Sequence, residues 1–466
     1  MHYISQSGQI EIALTGDCLI SRSVLVFTEQ RFLDLVALLR RADVAVTNLE
    51  TTFHSYEHAP ASVAGGTYMR AHPRIIEDLK WLGFRIVSAA NNHQYDFGEN
   101  GLIASLSNLE EAGVIVAGIG RNLSQAREPK YIDTPAGRVA LISATSSGPA
   151  GLAAQHQWRD GQGRPGANMV RYTSRYTVDP PTFDALRTFN REFHLSDRMR
   201  RPQLGYLNTS WGQSAIEDSD SEFYMGDLHN LFQYPAPKGY RISRGDEFRV
   251  DLVPDEEDLE ENLQRISDAR RMADWVVVSF HNHEHGPTDH DPSAVATEFA
   301  HHAIDAGADV FHGHGPHHDR GIEIYRGKPI LYSIGKFIYQ TDTVERIERD
   351  NVLRQGLDPW QATPADFYDA RSGQDTPDNA HTTTSETWRD FVAVVRLAKD
   401  GSGELRLHPI ELGAGTSRGT RGRPVLASTD AAIQVVDHMR DLSEPFGTTV
   451  TMENGVGVIT WMAGAR

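Results

Sequence analysis

What most limits the fold of this chain is a set of short runs, rich in Val, Ile and Ala, that stop abruptly at polar or small residues. Five lie in the first 150 residues: QIEIALTGD, ADVAVTNLE, FRIVSAANNH, VIVAGIG and RVALISATS. Such runs suit strands covered on both faces, as in a sheet with parallel strands. Helical patterns separate them. TEQRFLDLVALLRRA repeats apolar residues at three- and four-residue spacing, HPRIIEDLKWLG is a shorter segment of the same kind, and GENGLIASLSNLEEAG stops at Gly113, as helices often do at glycine. The alternation predicts an α/β fold.

The same grammar returns near residue 255. DEEDLEENLQRISDARRMA reads as a helix with an acidic start, followed by DWVVVSFHNHEH, the helix SAVATEFAHHAIDAGA and DVFHGHGPHH. GIEIYRGKPILYSIGKFIY reads as a hairpin about Arg326-Gly327-Lys328, and FVAVVRLAKDGSGELRLHPIELG as another about Asp400-Gly401, since an Asp-Gly pair favours tight hairpin turns. Residues 151–250, with many Arg, Tyr, Gln and Gly, break the rhythm. They read as an insertion over the core, either a lid that selects substrate or a surface excursion. Residues 341–385 are polar and irregular. The expected division is a core in two halves, 1–150 and 251–413, an insertion at 151–250, and a C-terminal extension at 414–466 packed on the core.

Composition excludes several functions. The formal charge is −18 and no basic tract occurs, which opposes nucleic-acid binding, because phosphate backbones reward dense Lys and Arg. Cys18 is the single cysteine, so no internal disulfide forms and a reducing cytosol suits the chain. The start, MHYISQSGQIEIALTGD, has no signal-peptide pattern, and no apolar run reaches the roughly 20 residues that span a bilayer. A cytoplasmic protein without membrane or nucleic-acid partners is expected.

Functional groups in parallel sheets collect beyond the carboxyl ends of the strands. Here those ends carry Asp17, Asn48-Leu49-Glu50, Asn91-Asn92-His93, the run His281 to His285, and His312, His314 and His317. Ten of the 21 histidines fall between His281 and His318. Carboxylates, an amide and imidazoles together suit Mn, Fe, Zn or Mg, and one cysteine cannot build a sulfur site. Two ions about 3.5–4 Å apart would use roughly this many ligands, and one ion with acid–base histidines would use fewer. Each residue also has a plain reading. Asp17 and Glu50 could cap turns, and Asn92 and His93 could form one, yet a buried strand end of that polarity needs partners for every polar atom. His281 and His314 are the strongest ligand candidates, followed by His283 and His317. His285, His312 and His318 are balanced, and His301 and His302 belong to a helix surface or core. Asp96 would orient His93 or cap the next helix, and Asn48 would support the ligands. Arg70 in GGTYMRAHP could clamp a substrate carboxylate or sit on the surface, and Lys336 in SIGKFIY stands at another strand end. No glycine-rich nucleotide loop and no G-x-S-x-G elbow occurs;.

Taken in order over residues 8–150 and 255–345, TGD, NLE, AANNHQYDFGENGL, AGIGRN, SFHNHEH and DAGADVFHGHGPHHDRGIEIYRGKPILYSIGKFIY resemble the CapA family, named for a protein of poly-gamma-glutamate capsule synthesis. That family is similar to calcineurin-like metallophosphoesterases. The resemblance implies a four-layer α/β/β/α sandwich with a dinuclear metal site at strand ends. It places Asp17, Glu50, Asn92, His281 and His314 at metal-ligand positions, His93 at the catalytic histidine of an Asn-His pair, and His317 at the last histidine of a Gly-His motif. Leu19 departs from the pattern, standing where a histidine is expected, and Glu50 replaces a bridging Asp. Both imply an altered metal subsite. Lys336 stands where the family often has Asn, and the family's capsule proteins are typically membrane-anchored, with no anchor evident here.

These readings combine into a metal-dependent hydrolase with one or two divalent ions (Mn, Zn, Mg or Fe). Its substrate would be an amide or ester of a small carboxylate-bearing or peptide-like molecule. Asp17, Glu50, Asn92, His281, His283 and His314 are the expected ligands. Asp17, His93, His314 and His317 are the expected catalytic groups, while Arg70 and Lys336 would meet substrate. Two alternatives use the same residues. One is an epimerase moving a proton beside a carbonyl, as a lasso-peptide epimerase in the family's wider circle does; the other is a non-catalytic protein of polyglutamate assembly.

Overall fold

The computed structural model describes residues 8–64, 66–193, 219–225, 240–372 and 388–462. The chain forms two compact units, one of Met1–Met169, Glu260–Pro292 and Ala296–Arg466, the other of Val170–Leu259 with Ser293–Val295.

The first unit is an α/β/β/α sandwich. Its larger sheet runs Thr451–Glu453, Val456–Trp461, Gly403–Glu411, Arg389–Ala398, Gln9–Leu19, Val44–Leu49, Ile86–Ser88 and Ile115–Ala117, with Lys336–Tyr339 also parallel to Gln9–Leu19. The second sheet runs Asp319–Tyr325, Lys328–Ile334, Val310–His314, Trp275–His281, Gly137–Thr145 and Lys130–Thr134, with parallel pairing at its centre. Ile12, Leu14 and Val46 of the first sheet meet Leu141, Val277 and Leu331 of the second in a buried apolar layer. On the far side of the first sheet, Leu35, Leu79 and Leu106 of the helices Gln30–Arg41, Ile76–Leu82 and Gly98–Glu111 pack with Ala13, Ala45 and Val87. Phe299 of the helix Ala294–Asp305 covers the second sheet, its ring 4.9 Å from that of Phe280 and 5.9 Å from that of Phe311.

Two of the sequence expectations change in detail. GIEIYRGKPILYSIGKFIY is a hairpin only as far as Ile334. At Gly335, with φ +72°, the chain leaves the second sheet, and Lys336–Tyr339 joins the first beside Gln9–Leu19. Residues 151–169, expected in the insertion, belong to the first unit: Gly166–Ala167 pairs with Ile119–Gly120, and Met169 bridges to Thr145. The expected extension at 414–466 contributes the helix Thr429–Ser443 and the two strands at one edge of the larger sheet, Thr451–Glu453 and Val456–Trp461. Within 341–385 lie the short helices Arg349–Arg354 and Pro364–Ser372, and positions 373–387 fall outside the described residues.

The second unit is a four-stranded sheet in the order Glu222–Met225, Tyr240–Arg244, Tyr172–Val178, Arg249–Pro254. Phe183, from the helix Pro180–Glu192, packs on Phe223 with ring centroids 5.1 Å apart. Asp179 caps that helix by accepting from the Thr182 amide at 3.0 Å, which satisfies an amide that has no partner within the helix. The rest of the expected insertion, 194–218 and 226–239, lies outside the described residues.

Candidate metal centre

Strand parity decides which side chains enter the space between the sheets. Along Trp275–His281, Trp275 and Val277 face the inter-sheet core while Phe280 packs outward. Period-two alternation therefore turns Ser279 and His281 inward. The parallel neighbour Val310–His314 has the same phase, with Val310 in that core and His314 opposite His281 in register. Asp17 arrives differently. Ile10, Ile12 and Leu14 of Gln9–Leu19 face the second sheet and Ala13 faces the helices, a phase that would turn Asp17 outward. The register against Val44–Leu49 shifts between Thr15 and Asp17, so one extra residue, Gly16, forms a bulge that re-aims the side chains after it. Cys18 then lies in the helix-side core and Asp17 points inward. A Cβ on Gly16 would lie 2.0 Å from the Gly335 carbonyl oxygen, so only glycine fits the crossing.

Six side chains converge there. The atoms of three overlapping sets, Asp17/His281/His314, Glu50/His281/His283 and Asp17/Glu50/His317, each lie within 4.8 Å of one another. Asp17 Oδ1 accepts from Asn48 Nδ2 at 2.8 Å, and Asp17 Oδ2 lies 2.7 Å from His317 Nδ1. His281 Nδ1 stands 3.2 Å from His314 Nδ1, and His281 Nε2 stands 3.0 Å from His283 Nε2. Asn48 is itself held by Asn91, whose Nδ2 donates to Asn48 Oδ1 at 2.9 Å. His93 Nδ1 meets Asp96 Oδ2 at 2.7 Å, and His93 Nε2 lies 3.8 Å from Glu50 Oε1.

The residues fit a divalent cation. Glu50 Oε1 is buried and has no hydrogen-bond partner, a costly state for a carboxylate oxygen unless something neutralises it. Ring nitrogens 3.0–3.2 Å apart have the spacing of two adjacent ligands on one ion roughly 2.1 Å from each. The electrostatics agree. Burial, and then the charges of neighbouring histidines, push the His281 and His314 imidazoles well below their usual range. Burial, then His317, takes His283 down to about 3. All three are therefore neutral at pH 7, as nitrogen ligands must be. Burial works to raise the Asp17 carboxyl, but the His317 hydrogen bond and the histidine charges outweigh it and keep Asp17 ionised. Burial and the adjacent Asp17 charge push Glu50 well above the usual carboxyl range.

Other expected site residues lie as follows. Asn92 is buried between Asn91 and His93 at the start of a 3-10 turn. Arg70 is 6 % exposed: its Nε donates to the His54 carbonyl at 2.6 Å, and its guanidinium lies 4.0 Å from the centre of the Tyr56 ring. Lys336 is 3 % exposed; its ammonium donates to the His317 carbonyl and lies 3.5 Å from Asp390 Oδ2. His317 adopts φ +62°, a left-handed conformation uncommon for a side-chain-bearing residue. His312 is fully buried, whereas His285 and His301 lie away from the three sets, His301 pairing with Glu323 and stacking on Tyr325. Sequence reasoning missed Ser279 and Asp390, and gave Asn91 no role of its own. Asn91 stood in view in AANNH, and Ser279 ends an apolar run two residues before His281. Nothing local marks Asp390, which meets Lys336 across more than fifty residues.

Comparison with known proteins now identifies the family. The model of the bacterial capsule synthesis protein PGA_cap matches residues 11–341, more than half of the chain. The chain belongs to the PGA_cap family. The match ends two residues past the strand Lys336–Tyr339 and so takes in every member of the three clustered sets. An uncharacterized protein of Sinorhizobium fredii, y4sH, is 32 % identical over 452 residues, covering 95 % of this chain and 91 % of that protein. A probable polyglutamine synthesis accessory protein of Mycobacterium tuberculosis is 25 % identical over 303 residues, 64 % of this chain and 55 % of its own length. The PGA biosynthesis protein CapA of Bacillus subtilis is 22 % identical over 377 residues, 78 % of this chain and 72 % of its own. No helix among the described residues is long and apolar enough to cross a membrane.

Proposed function

We propose that this PGA_cap family member is a metal-dependent hydrolase of an amide or ester bond in a small, carboxylate-bearing or peptide-like substrate. The observation that carries the reading is the buried convergence of Asp17, Glu50, His281, His283, His314 and His317 at the strand ends. Relatives named for polyglutamine and PGA biosynthesis support a peptide-like substrate.

Asp17, Glu50, His281, His283 and His314 would hold one or two divalent ions such as Mn, Zn, Mg or Fe. A bound ion of this kind supplies Lewis-acid polarisation of a substrate oxygen and makes water acidic enough to attack near neutral pH. Proton transfer belongs to the protein. With its Nδ1 fixed on the Asp96 carboxylate, His93 directs Nε2 toward Glu50, the arrangement of a general acid or base whose tautomer is set by a carboxylate. His317 is the more open of the two, its side chain 24 % exposed against 5 % for His93. Because its Nδ1 is engaged by Asp17, Nε2 is left to serve a substrate atom. Asn48, anchored by Asn91, keeps Asp17 and Glu50 from relaxing apart.

The test uses manganese-loaded protein with a panel of γ-glutamyl peptides and carboxylate-bearing esters in ¹⁸O-water. Hydrolysis predicts one heavy oxygen in the released acid. Turnover without incorporation contradicts hydrolysis, and in a parallel run in deuterium oxide, solvent deuterium at one stereocentre with no bond cleaved would assign an epimerase instead.

A further inference from the structure

Ser279 and His312 lie beneath the cluster and belong to none of its three ligand sets. Both are 0 % exposed, as is His314. Together with the backbone of Thr15 they form a single file. His312 Nε2 lies 3.0 Å from the Thr15 carbonyl, His312 Nδ1 lies 3.1 Å from Ser279 Oγ, and Ser279 Oγ lies 2.8 Å from His314 Nε2.

The direction of every hydrogen bond in this file follows from its first member. A carbonyl oxygen can only accept, so His312 Nε2 carries a proton and donates it. His312 is fully buried and its ring nitrogens face only the carbonyl and the serine. Both partners are uncharged, so nothing in contact would offset the cost of a buried cation, and the ring is neutral;. A neutral imidazole protonated at Nε2 is a bare acceptor at Nδ1, so the Ser279 hydroxyl must donate to His312. Ser279 Oγ then has only lone pairs to offer His314, and the proton between them sits on His314 Nε2. What remains at His314 Nδ1 is an unprotonated lone pair, 3.2 Å from His281 Nδ1 and 3.8 Å from Asp17 Oδ1.

We infer that the file Thr15 carbonyl–His312–Ser279 fixes His314 in its Nε2-protonated tautomer, making Ser279 and His312 positioning residues that present Nδ1 of His314 to the centre. The role deepens the metal-centre reading and rests on it for its purpose, though the tautomer itself can be measured without any ion. Register makes the device possible. Ser279 pairs with His312 as His281 pairs with His314 across the same two strands, so the step of two residues that delivers the ligands also stacks their supports below them. Removing the Ser279 hydroxyl frees His314 to exchange tautomers, and a proton on Nδ1 would then face the other ligands.

The experiment is a long-range ¹H–¹⁵N correlation on metal-free protein labelled at histidine nitrogen, assigned with a His314→Gln control, together with zinc titration of the same samples. The expected result is an Nε2–H tautomer for both His312 and His314. In Ser279→Ala the His314 signals move toward a tautomer mixture and zinc binds roughly 10- to 100-fold more weakly, the usual cost of losing a support behind a ligand. Ser279→Thr keeps the hydroxyl and restores both readouts. Wild-type His314 protonated at Nδ1, or an unchanged zinc affinity in Ser279→Ala, overturns the inference. If Ser279→Ala does not fold, the wild-type tautomers decide alone. Wild type that shows the expected tautomers but takes up no zinc would overturn the metal reading and leave the hydrogen-bond assignment standing.

Discussion

Gly16→Ala isolates the link between fold and centre. The added methyl would stand 2.0 Å from the Gly335 carbonyl oxygen, where contacts below 3.0 Å essentially do not occur, so the two backbones must part by at least about 1 Å. Neither side yields cheaply: Gly335 is wedged against the Asp390 and Asp319 carboxylates, and its carbonyl accepts from the Asp17 amide at 2.9 Å. Overpacking of this kind costs about 1–3 kcal/mol. The displacement acts directly on Asp17, whose carboxylate meets Asn48 and His317 at 2.8 and 2.7 Å. We therefore expect a lower unfolding temperature together with a loss of manganese affinity on the order of 10- to 100-fold, as when a ligand loses its support. Gly419→Ala, where the nearest foreign atom to the added Cβ is 4.0 Å away, serves as the control. Thermal unfolding in chelator and calorimetric titration with manganese would measure the two effects. A Gly16→Ala protein with the control's stability and affinity would refute the claim that the bulge aims Asp17.

Other outcomes follow from the same geometry. Asp96→Asn leaves the clustered ligands intact but removes the carboxylate 2.7 Å from His93 Nδ1; turnover should fall by about 10²-fold or more with manganese affinity nearly unchanged, and equal loss of both would contradict the division of roles. Because Glu50 holds its proton to higher pH than an ordinary carboxyl, ion uptake should expel a proton and tighten as pH rises; titration heats in buffers of different ionisation enthalpy check this, and heats that do not depend on buffer would refute it. His283 and His312, lowered to about 3 and about 4 from an unfolded value near 6.5;, contribute stability that is full above pH 6.5 and drains away as pH falls toward 4 and 3. Glu50 has the opposite sign, being raised, and partly offsets them in acid. Urea midpoints of metal-free protein should accordingly drop between pH 6.5 and 4, and a flat profile would count against buried neutral histidines.

Much of the cluster could be read from the chain because its side chains sit where apolar runs end. Asp17, Glu50, His281 and His314 each follow a strand pattern directly, and parallel pairing brings such ends together. What escaped the reading depends on register and long-range pairing. The residues ALTGDC alternate no more oddly than their neighbours, yet the one-residue shift at Gly16 decides which way Asp17 faces. YSIGKFIY looks like one strand, and only the opposite sheet reveals the break at Gly335. The exposed-or-buried choice failed to be local as well. Arg70 and Lys336 resemble substrate-facing cations in sequence, but His54 and Tyr56 enclose the first, and His317 and Asp390 engage the second.

Crystals soaked in manganese or zinc, with anomalous diffraction recorded at the metal edge, would show whether an ion occupies the strand-end cluster. An anomalous peak is expected within about 2.0–2.3 Å of imidazole nitrogens of His281 and His314 and a carboxylate oxygen of Asp17. A soaked crystal with no peak among these side chains, or with the ion bound only elsewhere on the molecule, would contradict the metal-centre reading.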